Sequence, residues 1–364
     1  MMNDERILIH HSSFLIHRFE DVMYKEFFGL DELPFTLTPD PRFLVFTPSY
    51  NEVLASLYYG LENSKGLIVL TGEVGTGKTT ALRWILRRLD SSVLAAYVFN
   101  PRLSIEDFYL HVTSLLNVKE WQNKAELLTV LGKVLDERHR RGLKTVLIID
   151  EAHELSDYVL EEIRLLLNFE SDTAKHLQIV LTGQPELRDV LNKPNLRQLK
   201  QRVALRCKMH ALPNVDEVER YITERLVLAG SKEPNIFTPG AIDYIFRCSE
   251  GIPRQINNLC DNAMLAAYSA GEQVIGRQVI EEVAENLDLL PPQPIEQETK
   301  YQPNSANIFN SNARAELANH SAINEYVPSV YRNGNGNGAS RVHQEPFSFD
   351  DELLEIDDIE GFTK

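Results

Sequence analysis

The sequence predicts an α/β fold: a mainly parallel five-stranded sheet flanked by helices, then a small all-helical unit and a polar tail. Three observations carry this prediction. From Gly66 onward the apolar runs "LIVL", "VLAAYVF", "VLIID", "QIVLT" and "VALRCKM" alternate with helical patterns, as buried parallel strands covered on both faces do. After Pro213 the strands stop and only helical periodicity continues. Beyond Leu290 come "PPQP", Asn-rich sequence and "NGNGNG", a composition that cannot bury enough surface to fold alone.

Taken in order, residues 1–22 are mixed, show no clear period and read as a flexible extension. Met23 opens a new texture and is a candidate true start. Residues 23–64 hold aromatics between prolines, "FFGLDELPFTLTPDPRFLVFTPS", which suits an extended segment laid on a surface. A first helix follows, with Val53, Leu54, Leu57, Tyr58 and Leu61 on one side. Residues 65–212 carry the five strands. Residues 213–290 carry the helical lid, with Asn214 and Glu217 as a capping box, and Thr238 as N-cap before Pro239. Residues 291–364 form the disordered acidic tail.

Length, at 364 residues, allows two compact units plus tails. The net charge of −16 argues against holding nucleic acid by bulk attraction. The argument is weakened because the last 74 residues carry 12 acids and 5 bases. The three cysteines have neither zinc-finger nor redox spacing, and read as small buried thiols of a reducing cytosol. No apolar run approaches the roughly 18 residues of a membrane span, and no secretory signal opens the chain. The expected address is the cytoplasm, with any inner-membrane association peripheral and made through a partner.

The chemistry concentrates in "GEVGTGKTT", which fits G-x-x-x-x-G-K-[ST] between an apolar run and a helical one. Gly72, Glu73, Val74, Gly75, Thr76, Gly77, Lys78, Thr79 and Thr80 form the expected phosphate cradle. The glycines let backbone N–H groups turn toward a β-phosphate, and the helix that starts here adds its positive end. Lys78 supplies charge to the β- and γ-phosphates, and Thr79 a hydroxyl to Mg²⁺. In "VLIIDE", four apolar residues bury a strand, Asp150 at its end joins the Mg²⁺ shell, and Glu151 polarises the attacking water. No N-K-x-D guanine reader is present, so ATP is favoured over GTP.

"DEAH" at 150–153 invites a helicase reading, but the Ser-Ala-Thr-like motif and second motor core of such helicases are missing. Instead "GIPR" in the helical unit places Arg254 at a helix start, where an AAA+ protein keeps the sensor-two arginine that reaches a γ-phosphate from the lid. "KPNLRQLKQRVALRCKM" offers Arg197, Arg202 and Arg206 as fingers toward a neighbouring subunit, with Arg202 preferred because it lies just before the fifth strand. The end of "LTGQPEL" offers either Thr182 or Gln184 as the water-positioning sensor.

Taken together, the aromatic box from Phe27 onward, "GEVGTGKTT", "DEAHELSDYVLEEIRLLLNFE", "LTGQPEL" and "GIPRQINNLC" resemble the general secretion pathway protein A (ExeA-type) AAA+ ATPases, over about residues 23–290. The resemblance implies an AAA+ P-loop NTPase that oligomerises in the cytoplasm and helps assemble a secretion, pilus or exosortase-type envelope machine. Two departures, Tyr50 where many relatives have His and His153 where many have Gln, are read as local and as leaving the phosphate chemistry untouched. The best-known members continue into a membrane helix and a peptidoglycan-binding domain. This sequence continues into a polar tail, so it resembles the short soluble form and direct cell-wall binding is not carried over.

The stretch from Phe35 to Phe46 either lies beside adenine or staples its segment to the core. Near the end, Leu353, Ile356 and Ile359 recur at helical spacing among acids; this is either a solvated acidic end or a partner-binding stretch. Three functions compete: an Mg²⁺-dependent, oligomerising ATPase of envelope assembly, a DNA-associated AAA+ protein of the transposition-regulator or initiator type, and a nucleotide-dependent scaffold.

Overall fold

A computed structural model describes residues 24–99, 103–118, 121–171 and 174–291. Expectations for residues 1–22, for Met23 as a start and for the tail fall outside these residues.

The five strands are β1 (Leu67–Gly72), β2 (Val93–Val98), β3 (Lys144–Ile149), β4 (Gln178–Gly183) and β5 (Val203–Met209). They pair only in parallel, in the order β2-β3-β4-β1-β5. The chain therefore leaves β1, crosses over two strands and returns. This brings the carboxyl ends of β1, β4 and β3 side by side, the crevice where open α/β sheets bind ligands. In register, Leu70 pairs with Thr182, and Leu181 with Ile149.

Alternation along the strands divides the core into two layers, because successive side chains point to opposite faces. On one face Ile68, Leu70, Ile148, Val180, Cys207 and Met209 pack under α1 (Pro48–Glu62) and α2 (Lys78–Arg88). On the other, Leu67, Val69, Leu147, Ile149, Ile179 and Leu181 pack with helices on the far side of the sheet. Those helices are α3 (Ile105–Leu115), α4 (Lys124–Arg140), α5 (Asp157–Leu166), α6 (Leu187–Leu191) and α7 (Arg197–Gln201).

Helix α1 starts earlier than its apolar pattern suggests, because Thr47 accepts the Tyr50 amide as N-cap and Pro48 occupies the first turn. Tyr58, expected on its buried side, is 41% exposed, while Tyr50 is buried.

The helical unit comprises α8 (Val215–Leu228), α9 (Pro239–Ser249), α10 (Pro253–Ala270) and α11 (Arg277–Asn286). Asn214 and Thr238 cap α8 and α9 through their side chains. The capping box is only half made: Asn214 accepts the Glu217 amide, but the Glu217 carboxylate accepts the Ser49 hydroxyl at 3.1 Å instead. All three cysteines are free and buried.

The aromatic segment is clamped between α2 and the helical unit. Arg225 of α8, itself buried, donates to the carbonyls of Pro34 (2.6 Å) and Phe43 (3.2 Å). Fully buried Phe35 meets Phe237 edge-on, and Phe46 meets Trp84. These contacts are those of a staple. Among the described residues no helix is long and apolar enough to cross a membrane.

Candidate functional site

The phosphate loop leaves β1 at Gly72 and enters α2 at Lys78. Gly75 and Gly77 have φ of +84° and +90°, values that a residue with a Cβ adopts only under strain. Gly77 is the N-cap residue of α2 and offers no side-chain cap, so the first-turn amides of α2 point into the cradle without an intramolecular acceptor. Thr76 is fully buried and its hydroxyl donates to the Glu73 carbonyl at 2.8 Å, which closes the loop. The Lys78 ammonium is almost fully buried and donates to the carbonyls of Gly72 (2.8 Å) and Glu73 (3.0 Å). Burial pulls its pKa down, and the charges of Glu151 and Asp150 oppose that pull.

Asp150 is the hub of the site. It follows β3 and is buried, and four donors converge on it. Thr182 donates to Oδ1 at 2.5 Å, and the Glu151 amide donates to the same oxygen at 3.0 Å. Tyr97 donates to Oδ2 at 2.8 Å and Thr79 to the same oxygen at 3.1 Å. Burial alone would raise the carboxyl pKa, but the four hydrogen bonds outweigh it and hold the group below its usual range. Thr79 and Asp150 thus present adjacent oxygens, a donor set that suits a hard cation such as Mg²⁺.

Glu151 stands next to this hub with φ of +50°, a strained backbone for a residue with a side chain. Its Oε2 is buried and lacks a hydrogen-bond donor among the described residues. The nearest candidate is His153 Nδ1 at 3.4 Å, but that nitrogen accepts the Gln184 amide, also at 3.4 Å.

Arg254, second residue of α10, reaches the loop through its backbone. Its N–H donates to the Gly75 carbonyl at 3.1 Å, and a Cβ on Gly75 would lie 2.7 Å from the Arg254 Cβ. The Arg254 side chain is exposed, and its Cδ would lie 3.4 Å from a Cβ on Gly75. Arg202 does not join the cluster. It lies at the amino end of β5, across the sheet from the loop, and its Nη1 donates to the Leu167 carbonyl at 3.4 Å. Arg197 and Arg206 are exposed. Gln184 is half-buried and enters the site through its amide.

Sequence reasoning missed Tyr97, a half-buried tyrosine within a strand whose contact with Asp150 depends on β2 lying beside β3. Tyr50 and His153, read from the sequence as local departures, both have contacts at the site: the Tyr50 hydroxyl donates to the Thr76 carbonyl at 3.0 Å, and His153 lies between Glu151 and the end of β4. The spacing of His153 from Asp150, within one turn after a strand, was the available signal.

The AAA domain family matches residues 61–191. General secretion pathway protein A of Aeromonas hydrophila is 42% identical over 257 residues, which are 70% of this chain and 46% of that protein. The chain therefore spans less than half the length of that relative. Among solved structures, Cdc6p from Pyrobaculum aerophilum is similar at 18% identity and TM-score 0.57, over 71% of this chain and 70% of that one. ORC2 from Aeropyrum pernix is similar at 17% identity and TM-score 0.55, over 72% and 73%. Drosophila ORC, solved bound to DNA, is similar at 18% identity and TM-score 0.51, over 70% and 66%. At these identities the likeness shows the fold alone.

Fold and site together define an AAA+ P-loop module. Within that class the chain is related to general secretion pathway protein A over 70% of its length, and its AAA domain supports an ExeA-type AAA+ module.

Proposed function

We propose that this chain hydrolyses ATP with Mg²⁺ as an oligomerising AAA+ ATPase, and that turnover drives or regulates assembly of a secretion or cell-envelope export machine. The observation that carries the proposal is the Asp150 hub: four donors fix one carboxylate between the Thr79 hydroxyl and an undonated Glu151 oxygen. Amides of residues 73–79 and Lys78 hold the phosphates. Thr79 and Asp150 hold Mg²⁺, which neutralises charge on the phosphate oxygens. Glu151 accepts a proton from, or orients, the attacking water. Thr182 fixes Asp150, and Gln184 is the second polar group at the same strand end. Arg254 answers the γ-phosphate from the lid, and Arg202 serves the site of a neighbouring subunit. The ExeA relationship supports cytoplasmic action on envelope or secretion assembly proteins, with contact to the inner membrane made through a partner.

A second reading, DNA-associated action of the transposition-regulator or initiator type, draws on a run of exposed cations. Arg197, Lys200, Arg206 and Lys208 are exposed, and residues 193–210 contain no acid. Steady-state ATP hydrolysis with and without duplex DNA, beside Glu151→Gln, separates the two. Glu151-dependent turnover indifferent to DNA supports envelope assembly. Strong stimulation that fades steeply with salt supports the DNA reading.

A further inference from the structure

A second cluster of titratable groups lies at the amino end of the sheet, away from the phosphate loop. Just before β4, residues 169–171 and 174–176 form a short antiparallel ladder. The His176 amide donates to the Phe169 carbonyl at 3.0 Å, and the Ser171 amide to the Ala174 carbonyl at 2.9 Å. Glu170 bridges Lys175 and is ion-paired with it. The ladder rests on α4 at two points. A Cβ on Gly132 would lie 3.0 Å from the Phe169 ring. Two turns along the same face of the helix, the His139 ring stacks on His176, with centroids 4.4 Å apart and planes 21° from parallel. His176 Nε2 is buried and has no hydrogen-bond partner among the described residues.

This arrangement suits neutral rings. A proton on His176 would put a charge against His139 and leave an Nε2–H without an acceptor. Burial first, and then His139, pull the His176 pKa below its ordinary value; Asp136 opposes that pull and Arg140 adds to it. The charged groups around the stack are Asp136 and Arg140 of α4, ion-paired with each other, Glu170 and Lys175 of the ladder, and Arg202, which acts on Lys175. We propose that the His139–His176 stack is a latch between α4 and the ladder, that protonation of His176 opens it, and that opening loosens the chain just after the Leu167 carbonyl to which Arg202 donates. The latch stands on its own geometry, and its bearing on turnover rests on the proposed role of Arg202. Closed, it holds His176 neutral; freed to water, the ring takes a proton near pH 6.5. The stabilisation is therefore complete above about pH 6.5 and is lost as pH falls below it.

The test uses the full chain. NMR follows exchange of the Ser171 and His176 amides, corrected for the intrinsic effect of pH, and the midpoint of the His176 ring, from pH 5 to 8, in wild type, His176→Phe and His139→Phe. Wild-type protection of both amides is expected to fall several-fold between pH 7 and pH 5, with protection in β1 held. His176→Phe keeps a ring in the stack that cannot take a proton, and its protection should stay level. His139→Phe removes one source of opposing charge and should raise the His176 midpoint. Parallel protection profiles in wild type and His176→Phe overturn the latch. So does an unmoved midpoint in His139→Phe, which decides the matter alone where His176→Phe does not fold. Turnover at pH 5.5 relative to pH 7.5 tests the link to Arg202: wild type should lose more than His176→Phe, and equal losses overturn that link. Absence of any turnover that Glu151→Gln abolishes overturns the ATPase reading instead, and leaves the exchange result to decide the latch.

Discussion

At the scale of single residues, the site is decided by how donors distribute around buried carboxylates. Asp150 takes four donors and its neighbour Glu151 leaves one oxygen without any among the described residues, so adjacent residues of one chemical type stand in opposite hydrogen-bonding environments. Glu151→Gln is expected to cut turnover by about 10²–10⁴ while ATP binding persists; an equal rate in the variant refutes its assignment. Tyr97→Phe removes one donor from a buried charge and is expected to destabilise the fold by about 1–3 kcal/mol, read from the denaturant midpoint. The Asp150 carboxyl, held below its usual range, adds stability that is present above the unfolded pKa near 4 and lost as pH falls below it. Asp150→Asn should therefore flatten the decline of stability between about pH 5 and pH 3, followed by urea denaturation at each pH.

At the scale of elements, a backbone hydrogen bond and the close approach of Ile252 and Arg254 to Gly75 join the helical unit to the phosphate loop. The Arg254 amide reaches the Gly75 carbonyl, and Gly75 is where a Cβ would collide with Arg254. Gly75→Ala should displace α10 and weaken ATP binding at least tenfold with little change in helix content, seen by titration calorimetry and circular dichroism. The aromatic segment has its own test. Phe35 is fully buried against the helical unit, so Phe35→Ala is expected to cost about 3–5 kcal/mol. A loss under 1 kcal/mol would mean that the segment is not the staple its contacts indicate.

At the scale of the whole molecule, Arg202 and the cis site lie at opposite ends of β5. Arg202 is too far round the sheet to serve its own phosphate loop, whose strand ends face the other way. An oligomer in which Arg202 acts on a neighbour predicts that Arg202→Ala keeps ATP affinity and loses turnover by about 10³ or more. Mixing it with Lys78→Ala should restore part of the rate. A Lys78→Ala subunit supplies the missing arginine to a neighbour whose own loop is intact. Failure to recover any rate would reduce Arg202 to its bond with the Leu167 carbonyl.

The sequence alone determined the sheet, the phosphate loop, Asp150 with Glu151 and the caps of α8 and α9. Those features are local: apolar runs of strand length, a glycine spacing that fixes backbone angles, and side chains that bond within three residues. Only the tertiary structure decided that Tyr97, Tyr50 and His153 belong to the site, that Tyr58 does not face the core, and that Glu217 bonds Ser49 instead of closing its capping box. Each of these depends on which strands and helices become neighbours. Strand order β2-β3-β4-β1-β5 puts Tyr97 beside Asp150 and the β4 end beside His153, and an order of that kind is set by how whole layers bury their apolar faces, which no short stretch of sequence encodes.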